Sequence, residues 1–399
     1  MGLRGNRNST FMNRRRETES LRIAMIGTRG MPANYGGVET VVDVLARQLV
    51  ARGHDVTVFC RSEDYDTHPP MIDGVRLVYL PAASSPGIGA MIHAFRATLW
   101  AVGRNFDVLH FHALGPGLMS IAARLLTRAT VLVTVHGRDD KRDKWGRGAR
   151  AILRFAATVS ARVPHSTLVV SQTLADEYAA EFGRATTVVP NSTHAIKAVP
   201  PGDTLERFGI SAQNYYVSVG RLVPEKAPHE LIDAYSKAHT DLPLVIVGGA
   251  AGTEDYVAHL RDLAVDRDDI IFTGPLYGDE LAEVLTNAGA FVTSSHPEGL
   301  PTALIEAGRA ALPIIASDIS PHCEIVNASD EGENGRRLYP TGNVDQLAEL
   351  FSLVGEHLEE EQRGAKDLAQ ELDARYAPPV TAEVHEGAYL TAQAARRTR

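Results

Sequence analysis

The stretch Ser295-His-Pro-Glu298-Gly-Leu-Pro-Thr-Ala-Leu-Ile-Glu306-Ala-Gly decides the fold, because it joins a short buried strand to a helix. The run before it, Ala290-Phe-Val-Thr, is apolar, as a parallel strand covered on both faces should be. A glycine frees the turn, and Pro301 suits the first helical position. Glu298 is therefore predicted on the loop and Glu306 in the second helical turn. Because helix side chains tilt toward the N-terminus, both carboxylates should face the start of this helix. Unpaired backbone N–H groups there favour an anion.

A phosphate site beside two carboxylates is typical of a nucleotide-sugar site. Each carboxylate offers two acceptor oxygens to vicinal hydroxyls and no competing donor. Acidic residues also gather at helix starts simply because they favour the helix dipole, so the two glutamates alone leave that alternative open.

Length and composition narrow the class of protein. The chain has 399 residues, enough for two domains of ordinary size, and its formal net charge of −9 argues against a general nucleic-acid binder. Its two cysteines, Cys60 and Cys323, lie far apart in sequence, which suggests a reduced, cytoplasmic setting. No apolar run approaches the ~20 residues that span a bilayer.

The first residues differ from the rest of the chain. Residues 1–20 are basic and polar without the apolar core of a signal peptide, so we expect a flexible tail that can touch anionic lipid. Met12 could equally be the true start.

Apolar runs alternate with longer amphipathic segments from Leu21 onward, which indicates repeated βα units. They form two series, which predict an α/β protein with two Rossmann-like, doubly wound parallel sheets facing each other across a cleft. We assign residues 21–197 to an N-terminal, acceptor-side domain and 198–377 to a C-terminal, nucleotide-sugar-binding domain. The predicted strands are 21–27, 56–60, 75–80, 108–111, 131–135, 168–171, 187–189, 215–220, 244–247, 270–273, 290–293 and 313–316, with helices at 38–52 and 228–237 and a linker at 194–213.

The segment Gly220-Arg221-Leu-Val-Pro-Glu225-Lys226 follows a strand and precedes a helix. An arginine offers a fork for two phosphate oxygens and a lysine a point charge, so the pair suits a diphosphate. A surface ion pair with Glu225 is the alternative.

A glycine-rich loop, Thr28-Arg-Gly30-Met-Pro-Ala-Asn-Tyr35-Gly36-Gly37, follows the first strand and allows backbone to approach a ligand closely. A dinucleotide fingerprint requires Gly-x-Gly-x-x-Gly and an acidic residue ending the second strand. This chain has Gly27-x-x-Gly30 and Arg61 there, so an NAD fold is disfavoured, although an arginine could suit NADP.

Together these motifs resemble the GT4 (group 1) family of retaining glycosyltransferases, whose architecture is GT-B. The resemblance spans about residues 21–389. It implies that Glu298 contacts the donor sugar, that Glu306 holds the ribose, and that Arg221 and Lys226 bind and neutralise the leaving diphosphate. The last helix, in 378–399, is expected to cross back to the first domain.

The same resemblance extends to other loops. In Thr134-Val-His136-Gly137-Arg138, His136 matches the position that contacts the transferring sugar, although many relatives have aspartate next and this chain has Gly137. The glycine-rich loop is similar to that of a subgroup in bacterial polysaccharide assembly that includes rhamnosyltransferases. The resemblance implies that the donor side also includes Gly36, Gly37, Gly220, Leu276, Gly299, Leu300 and Thr302, and the acceptor side Tyr35, Glu39, Arg138, Lys141 and Arg142. The charge run after Gly137 would clamp an acidic or lipid-diphosphate acceptor, or it is a solvated loop.

The implied reaction transfers a hexosyl or deoxyhexosyl group from a UDP-, GDP- or dTDP-sugar to a saccharide or polyprenyl-diphosphate-linked acceptor, with possible peripheral contact at the inner membrane face. We expect no obligatory cofactor or metal. His110 and His112 lack an evident third ligand, and Asp64-Tyr-Asp66 reads as a solvated loop. A GT-B epimerase or phosphorylase and a non-catalytic nucleotide-sugar-binding protein stay open as alternatives.

Overall fold

The computed structural model describes residues 20–33, 36–83, 86–141, 146–194, 197–327 and 334–398. The strands are β1 (Arg22–Ile26), β2 (Asp55–Arg61), β3 (Met71–Ile72), β4 (Val75–Leu80), β5 (Val108–His112), β6 (Thr130–Val135), β7 (Ser166–Val169), β8 (Thr187–Val188), β9 (Tyr216–Val219), β10 (Leu244–Val247), β11 (Ile270–Gly274), β12 (Ala290–Thr293), β13 (Ile314–Ser317) and β14 (Arg336–Tyr339).

The helices are α1 (Gly37–Ala51), α2 (Pro86–Ala101), α3 (Leu114–Gly117), α4 (Ser120–Leu126), α5 (Arg147–Arg162), α6 (Gln172–Phe182), α7 (Asp203–Phe208), α8 (Pro228–Lys237), α9 (Glu254–Leu263), α10 (Gly278–Thr286), α11 (Thr302–Arg309), α12 (Ser320–Val326), α13 (Val344–Glu356), α14 (Leu358–Tyr376) and α15 (Pro378–Arg397). Short 3-10 turns cover Ser62–Asp64, Asp139–Lys141 and Pro224–Lys226.

The strands form two sheets. In the described residues the first sheet has the order β3-β4-β2-β1-β5-β6-β7-β8 and the second the order β11-β10-β9-β12-β13-β14. Apart from the antiparallel β3–β4 pair, the neighbouring strands are parallel. The predicted α/β class with two Rossmann-like sheets is confirmed.

The central strands are apolar throughout because helices cover both faces of each sheet. Every residue of β6 and of β10 is buried, and apolar residues from the helices complete each core. The strand order reverses direction next to β1 and next to β9, so the loops after these strands lie at the switch points where ligands bind in such sheets.

Several details differ from the sequence prediction. The segment expected to be a linker contains helix α7, and Pro301 is the cap before α11 rather than its first residue. Strands β3 and β14 were not predicted. Strand β14 is Arg-Arg-Leu-Tyr, which is too polar to be recognised as a buried strand, and its arginines are neutralised by glutamates of α14.

The chain ends with two long helices. Helix α14 packs against α11 beside the second sheet, whereas α15 packs against α1 and β6 of the first sheet. The break between them is at Ala377, where Pro378 and Pro379 begin the new helix. Tyr389 of α15 is fully buried in the core beside the first sheet. The domain boundaries given above stay a prediction. No described helix is long and apolar enough to span a bilayer.

Candidate functional site

A cavity of about 340 Å³ opens between the two sheets. It lies where β6, β9, β10 and β12 end and where α1 and α11 begin, because the carboxyl ends of the strands of both sheets point into the space between them. The structure brings most of the predicted residues to this cavity: Gly36, Gly37, His136, Gly220, Arg221, Lys226, Leu276, Glu298, Gly299, Leu300, Thr302 and Glu306.

Glu298 and Lys226 form an ion pair at the wall of the cavity. Lys226 comes from the turn after β9, and Glu298 from the loop after β12, two strands that are neighbours in the sheet. Burial would raise the pKa of Glu298, but the Lys226 ammonium and hydrogen bonds from Lys226 and Ser295 outweigh it, so the pKa is lowered. The Glu298 side chain is therefore an anion whose oxygens can accept hydrogen bonds.

Glu306 lies one helical turn inside α11 and lines the same cavity. Burial raises the pKa of its carboxyl to about 7, and the Arg309 guanidinium offsets only part of that rise. No hydrogen bond to this carboxyl comes from the described residues. A half-buried carboxyl without partners is able to accept hydrogen bonds from hydroxyl groups of a ligand.

Arg221 is exposed at the rim of the cavity. Within the described part of the chain its guanidinium forms no ion pair, and neither Arg221 nor Lys226 pairs with Glu225. The alternative of a surface ion pair in this loop is therefore not observed. Arg221 has its fork of donors available for an anionic ligand.

His136 and Gly299 bring the two sides of the cavity into contact. A Cβ added at Gly299 would overlap the His136 carbonyl oxygen, so only glycine allows this approach of the two backbones. Nearby, Asn191 Nδ2 donates to the Leu300 carbonyl oxygen at 2.7 Å. These contacts set the width of the cleft on the side where Glu298 lies.

The His136 ring is partly buried, and its lowered pKa favours the neutral imidazole near pH 7. Burial lowers its pKa to about 4, the neighbouring His385 lowers it further, and a hydrogen bond with Asn191 opposes this only in part. His136 Nε2 lies 3.2 Å from His112 Nδ1, and His110 in turn contacts Tyr389 Oη at 2.8 Å. These histidines pack on one another, and no cluster that could hold a metal ion occurs among the described residues.

The predicted acceptor-side residues are placed differently. Arg138 is buried and its guanidinium binds Asp140 and Glu181, at 2.7 Å each, so it is committed to partners within its own domain. This geometry argues against Arg138 as a clamp for an acidic acceptor. Lys141 is half exposed but pairs with Glu177 at 2.7 Å. Arg138 and Lys141 border a second cavity of about 380 Å³, which Glu298 also lines.

Other acceptor-side predictions lie away from the cavity or outside the structure. Glu39, in the first turn of α1, accepts a hydrogen bond from the Arg29 backbone N–H at 3.3 Å and does not line the donor-side cavity. Tyr35 and Arg142 lie outside the described residues.

One residue near the site was missed by sequence reasoning. His322, near the start of α12, is buried close to Glu298, which raises its pKa, and to Lys226, which lowers it. Burial lowers its pKa to about 4, the Ser317 carbonyl holds its Nδ1 at 2.9 Å, and its Nε2 has no partner among the described residues. Its position in the sequence could have indicated it, because His322 follows shortly after β13, the neighbour of the strand that precedes Glu298.

Comparison with known proteins agrees with this geometry. The family model of group 1 glycosyl transferases matches residues 205–369, and that of glycosyltransferase family 4 matches residues 35–194. The chain therefore belongs to the GT4 (group 1) glycosyltransferase family, as its motifs predicted.

Individual relatives cover most of the chain. Spore coat protein SA of Bacillus subtilis is 25% identical over 89% of this chain and 96% of its own length. A D-inositol 3-phosphate glycosyltransferase of Acidothermus cellulolyticus is 28% identical over 79% of this chain and 78% of its own. The crystal structure of Anabaena Alr3699/HepE in complex with UDP and glucose superposes with a TM-score of 0.76 at 17% identity, over 93% of this chain and all of that one. The fold is GT-B.

Proposed function

We propose that this protein is a retaining glycosyltransferase that moves a sugar from a nucleoside-diphosphate sugar to a hydroxyl of a saccharide or lipid-linked saccharide. One observation carries the proposal: Glu298 and Glu306 open into the same cavity as the available guanidinium of Arg221 and the start of α11. An anion site flanked by two hydroxyl-binding carboxylates fits the diphosphate, the ribose and the sugar of one such donor.

The leaving diphosphate gains most of the charge that develops during transfer. Arg221 and Lys226, from one loop, would bind its oxygens, and the backbone N–H groups at the start of α11 would add their dipoles. These groups are held in place before the reaction begins, so they stabilise the developing charge without reorganising.

The Glu298–Lys226 ion pair explains how donor binding prepares the site. A diphosphate beside Lys226 competes for the ammonium and leaves the Glu298 oxygens to accept hydrogen bonds from the sugar. Because the pKa of Glu298 is lowered, the carboxylate keeps its charge over the neutral range. Glu306 would hold the ribose hydroxyls in the same way, as its counterpart does in the family that the motifs resemble.

The reaction itself follows the family analogy. The bond between the anomeric carbon and the diphosphate oxygen breaks, the acceptor oxygen bonds to the anomeric carbon on the same face, and the acceptor proton passes to a phosphate oxygen of the leaving group. His136 is neutral at the pH of the reaction and contributes a hydrogen bond to the sugar rather than a charge. We assign no protein side chain as general base.

The donor is a UDP-, GDP- or dTDP-sugar. The superposed HepE structure contains UDP and glucose, which supports this class without selecting a base for this chain. The acceptor is a saccharide, free or linked to a polyprenyl diphosphate, and the place of reaction is the cytoplasmic membrane face.

The test is the substitution Glu298→Gln, which keeps the shape of the side chain but removes its charge. Release of nucleoside diphosphate and formation of a new glycoside should fall by at least about a hundredfold, as for loss of other positioned charges. Glu280→Gln, on the exposed face of α10, serves as the control. Near-normal transfer by Glu298→Gln would refute the assignment. A product that is an epimerised nucleotide or a sugar phosphate would favour an epimerase or a phosphorylase instead.

A further inference from the structure

Helix α2 exposes a stripe of large apolar side chains. Ile88, Phe95 and Leu99 are 60%, 48% and 47% exposed, and their spacing places them along one side of the helix. Isolated exposed apolar residues are common on protein surfaces, but a continuous stripe is not.

Helices α4 and α5 continue this surface. Leu125 and Leu126 of α4 are 78% and 54% exposed, and Ile152 and Phe155 of α5 are 49% and 58% exposed. Of the 15 large apolar side chains that are exposed in the described ranges, eight lie on α2, α4 and α5, including Ile121. The concentration on three helices indicates a binding surface rather than chance exposure.

The three helices form one layer on the first sheet. Helix α3 contacts both α2 and α5, and α4 contacts α5 and β6. Their buried residues, such as Ala97, Ala123 and Ala156, belong to the same core cluster. The exposed residues of α2, α4 and α5 therefore share the outer side of this layer, which we name the apolar face.

Charge is segregated on the same layer. Residues 86–128 and 146–165 contain eight arginines and one aspartate, whereas the whole chain has a net charge of −9. Arg128, Arg147, Arg154 and Arg162 are exposed and form no ion pair within the described part of the chain. Arg96 and Arg124, also exposed, contact the Pro81 carbonyl oxygen and the His165 ring. The apolar face is thus bordered by cations with few acids to neutralise them.

We infer that the apolar face docks on the surface of an anionic lipid membrane. Helix α5 has the composition of a helix that lies in the plane of a membrane interface, with Ile152 and Phe155 exposed beside arginines and no acidic residue. Arginine stems pack along apolar surface while their guanidinium groups reach the phosphates of the headgroups. A nucleic acid would use the arginines but leave the apolar centre without a partner.

The starts of α2 and α5 adjoin the cleft, whereas Leu125 and Leu126, just before β6, lie toward the opposite ends of the strands. Helix α5 begins a few residues after Lys141, on the loop that follows His136, and α2 begins shortly after β4 ends at the same sheet edge. A docked protein would hold the acceptor side of the cleft close to the membrane, where a lipid-linked saccharide lies. This consequence rests on the proposed function, but membrane docking itself is measured without turnover.

The experiment is co-sedimentation of the full-length chain with vesicles of equal parts phosphatidylcholine and phosphatidylglycerol, and with phosphatidylcholine alone. We expect binding to the anionic vesicles and weaker binding at high salt, because exposed charges are screened. Leu125→Ser with Phe155→Ser should bind at least about tenfold more weakly, since two large apolar groups no longer leave water. Arg147→Gln with Arg154→Gln should reduce the preference for phosphatidylglycerol.

The matched control is Leu263→Ser with Val265→Ser, at and just after the end of α9, which removes two exposed apolar groups elsewhere on the surface. It should bind vesicles as the unaltered chain does. All variants retain residues 1–20, so lipid binding by that basic segment cannot cause a difference in vesicle binding between them.

Two results would overturn the inference. One is equal vesicle binding by the apolar-face variant and the unaltered chain, or no binding by either. The other is a dimer in solution that the apolar-face variant splits, which would mean that a second copy covers the surface. Thermal shifts with nucleotide-sugars are recorded for each variant, so a failure of donor binding is distinguished from a failure of docking.

Discussion

Glu306 combines a site role with an unfavourable environment. Burial raises the pKa of its carboxyl to about 7, well above that of an exposed glutamate, so at neutral pH only about half of the unliganded molecules carry the charge that we propose accepts ribose hydroxyls. A site of this kind trades stability of the free protein for affinity toward its ligand.

The pH dependence of donor binding follows from this carboxyl. Affinity should rise as pH increases through about 7 and level off above it, because the ionised form binds hydroxyls better. Titration calorimetry at several pH values measures this rise. In Glu306→Gln the affinity should be lower and the rise should be absent; an unchanged pH profile would contradict the assigned contact.

The Glu306 carboxyl has the opposite effect on folding stability, which should fall as pH rises. Because its folded-state pKa is raised, its contribution is most favourable below the pKa of the unfolded chain and is lost as pH rises through about 7. Glu306→Gln should therefore be more stable than the unaltered protein above pH 7, by on the order of 2 kcal/mol, with the gain disappearing in acid. Urea unfolding across this range provides the measurement.

Substitution of Lys226 tests whether the diphosphate of the donor lies beside this side chain. Lys226→Ala should cost about 2–4 kcal/mol of transition-state stabilisation, by analogy with the loss of other preorganised donors. The readout is kcat/KM for the donor. Lys237→Ala, on the exposed side of α8, is the control. An unchanged rate for Lys226→Ala would place the diphosphate elsewhere.

The sequence could predict where a side chain lies when a motif fixes both the residue and its loop, whereas the roles of these residues stay a prediction. Glu298, Glu306, Arg221 and Lys226 were expected to converge because strand ends meet at one sheet edge, and they line one cavity. Arg138 was judged from its local charge run, yet Asp140 and Glu181 bind it. Glu181 lies on α6, more than 40 residues away, and a local pattern cannot show such a partner.

At the scale of elements, the loop before α11 depends on close contact with the loop after β6. Gly299 lies against the His136 carbonyl oxygen, and Gly37 of α1 faces Thr302, whose Oγ1 would be 3.0 Å from an added Cβ. Helices from opposite sides of the cleft thus begin next to each other.

Gly299→Ala should force these loops apart and reduce transfer by at least about tenfold, since small displacements of positioned groups are costly to catalysis. Unfolding temperature should change little, because each sheet keeps its own core. The comparison is Gly387→Ala on α15, where an added Cβ meets no neighbour. Full activity of Gly299→Ala would show that the observed closeness is not needed for the reaction.

Helix α15 is the element that ties the chain end to the first sheet. Tyr389 is fully buried, and its hydroxyl contacts His110. Tyr389→Ala should lower the free energy of unfolding by about 3–5 kcal/mol through the cavity and the lost hydrogen bond. Val384→Ala, on a partly exposed position of the same helix, should change it far less. Denaturant unfolding monitors both, and equal effects would contradict the packing.

Most strands could be predicted from their apolar runs, and among the described strands β3 and β14 are the two that could not. Strand β14 contains two arginines that become suited to a sheet only because Glu361 and Glu371 of α14 pair with them. Strand β3 has two residues and exists through its antiparallel pairing with β4. In both cases the stabilising partner lies elsewhere in the chain or the element is too short to show a period.

At the scale of the whole molecule, two parallel sheets place their strand ends across a shared cleft. The cleft has a donor-side cavity of about 340 Å³ and a second cavity of about 380 Å³ that meet at Glu298. The sequence predicted two facing sheets but not the second cavity, because part of its wall comes from α6 and α12, where no motif was recognised. In the proposed reaction the first cavity would bind the donor and the second would admit the acceptor.

The most direct test of the account is thermal unfolding in the presence of UDP-, GDP-, dTDP- and ADP-sugars, with the unaltered protein and with Arg221→Ala. Binding to the folded state alone raises stability as RT ln(1 + [L]/Kd), so the true donor class should stand out at excess concentration. We predict a selective rise in unfolding temperature for one nucleotide class, and this rise should be strongly reduced in Arg221→Ala. No rise with any nucleotide-sugar, or an equal rise in the variant, would contradict a donor site in this cavity.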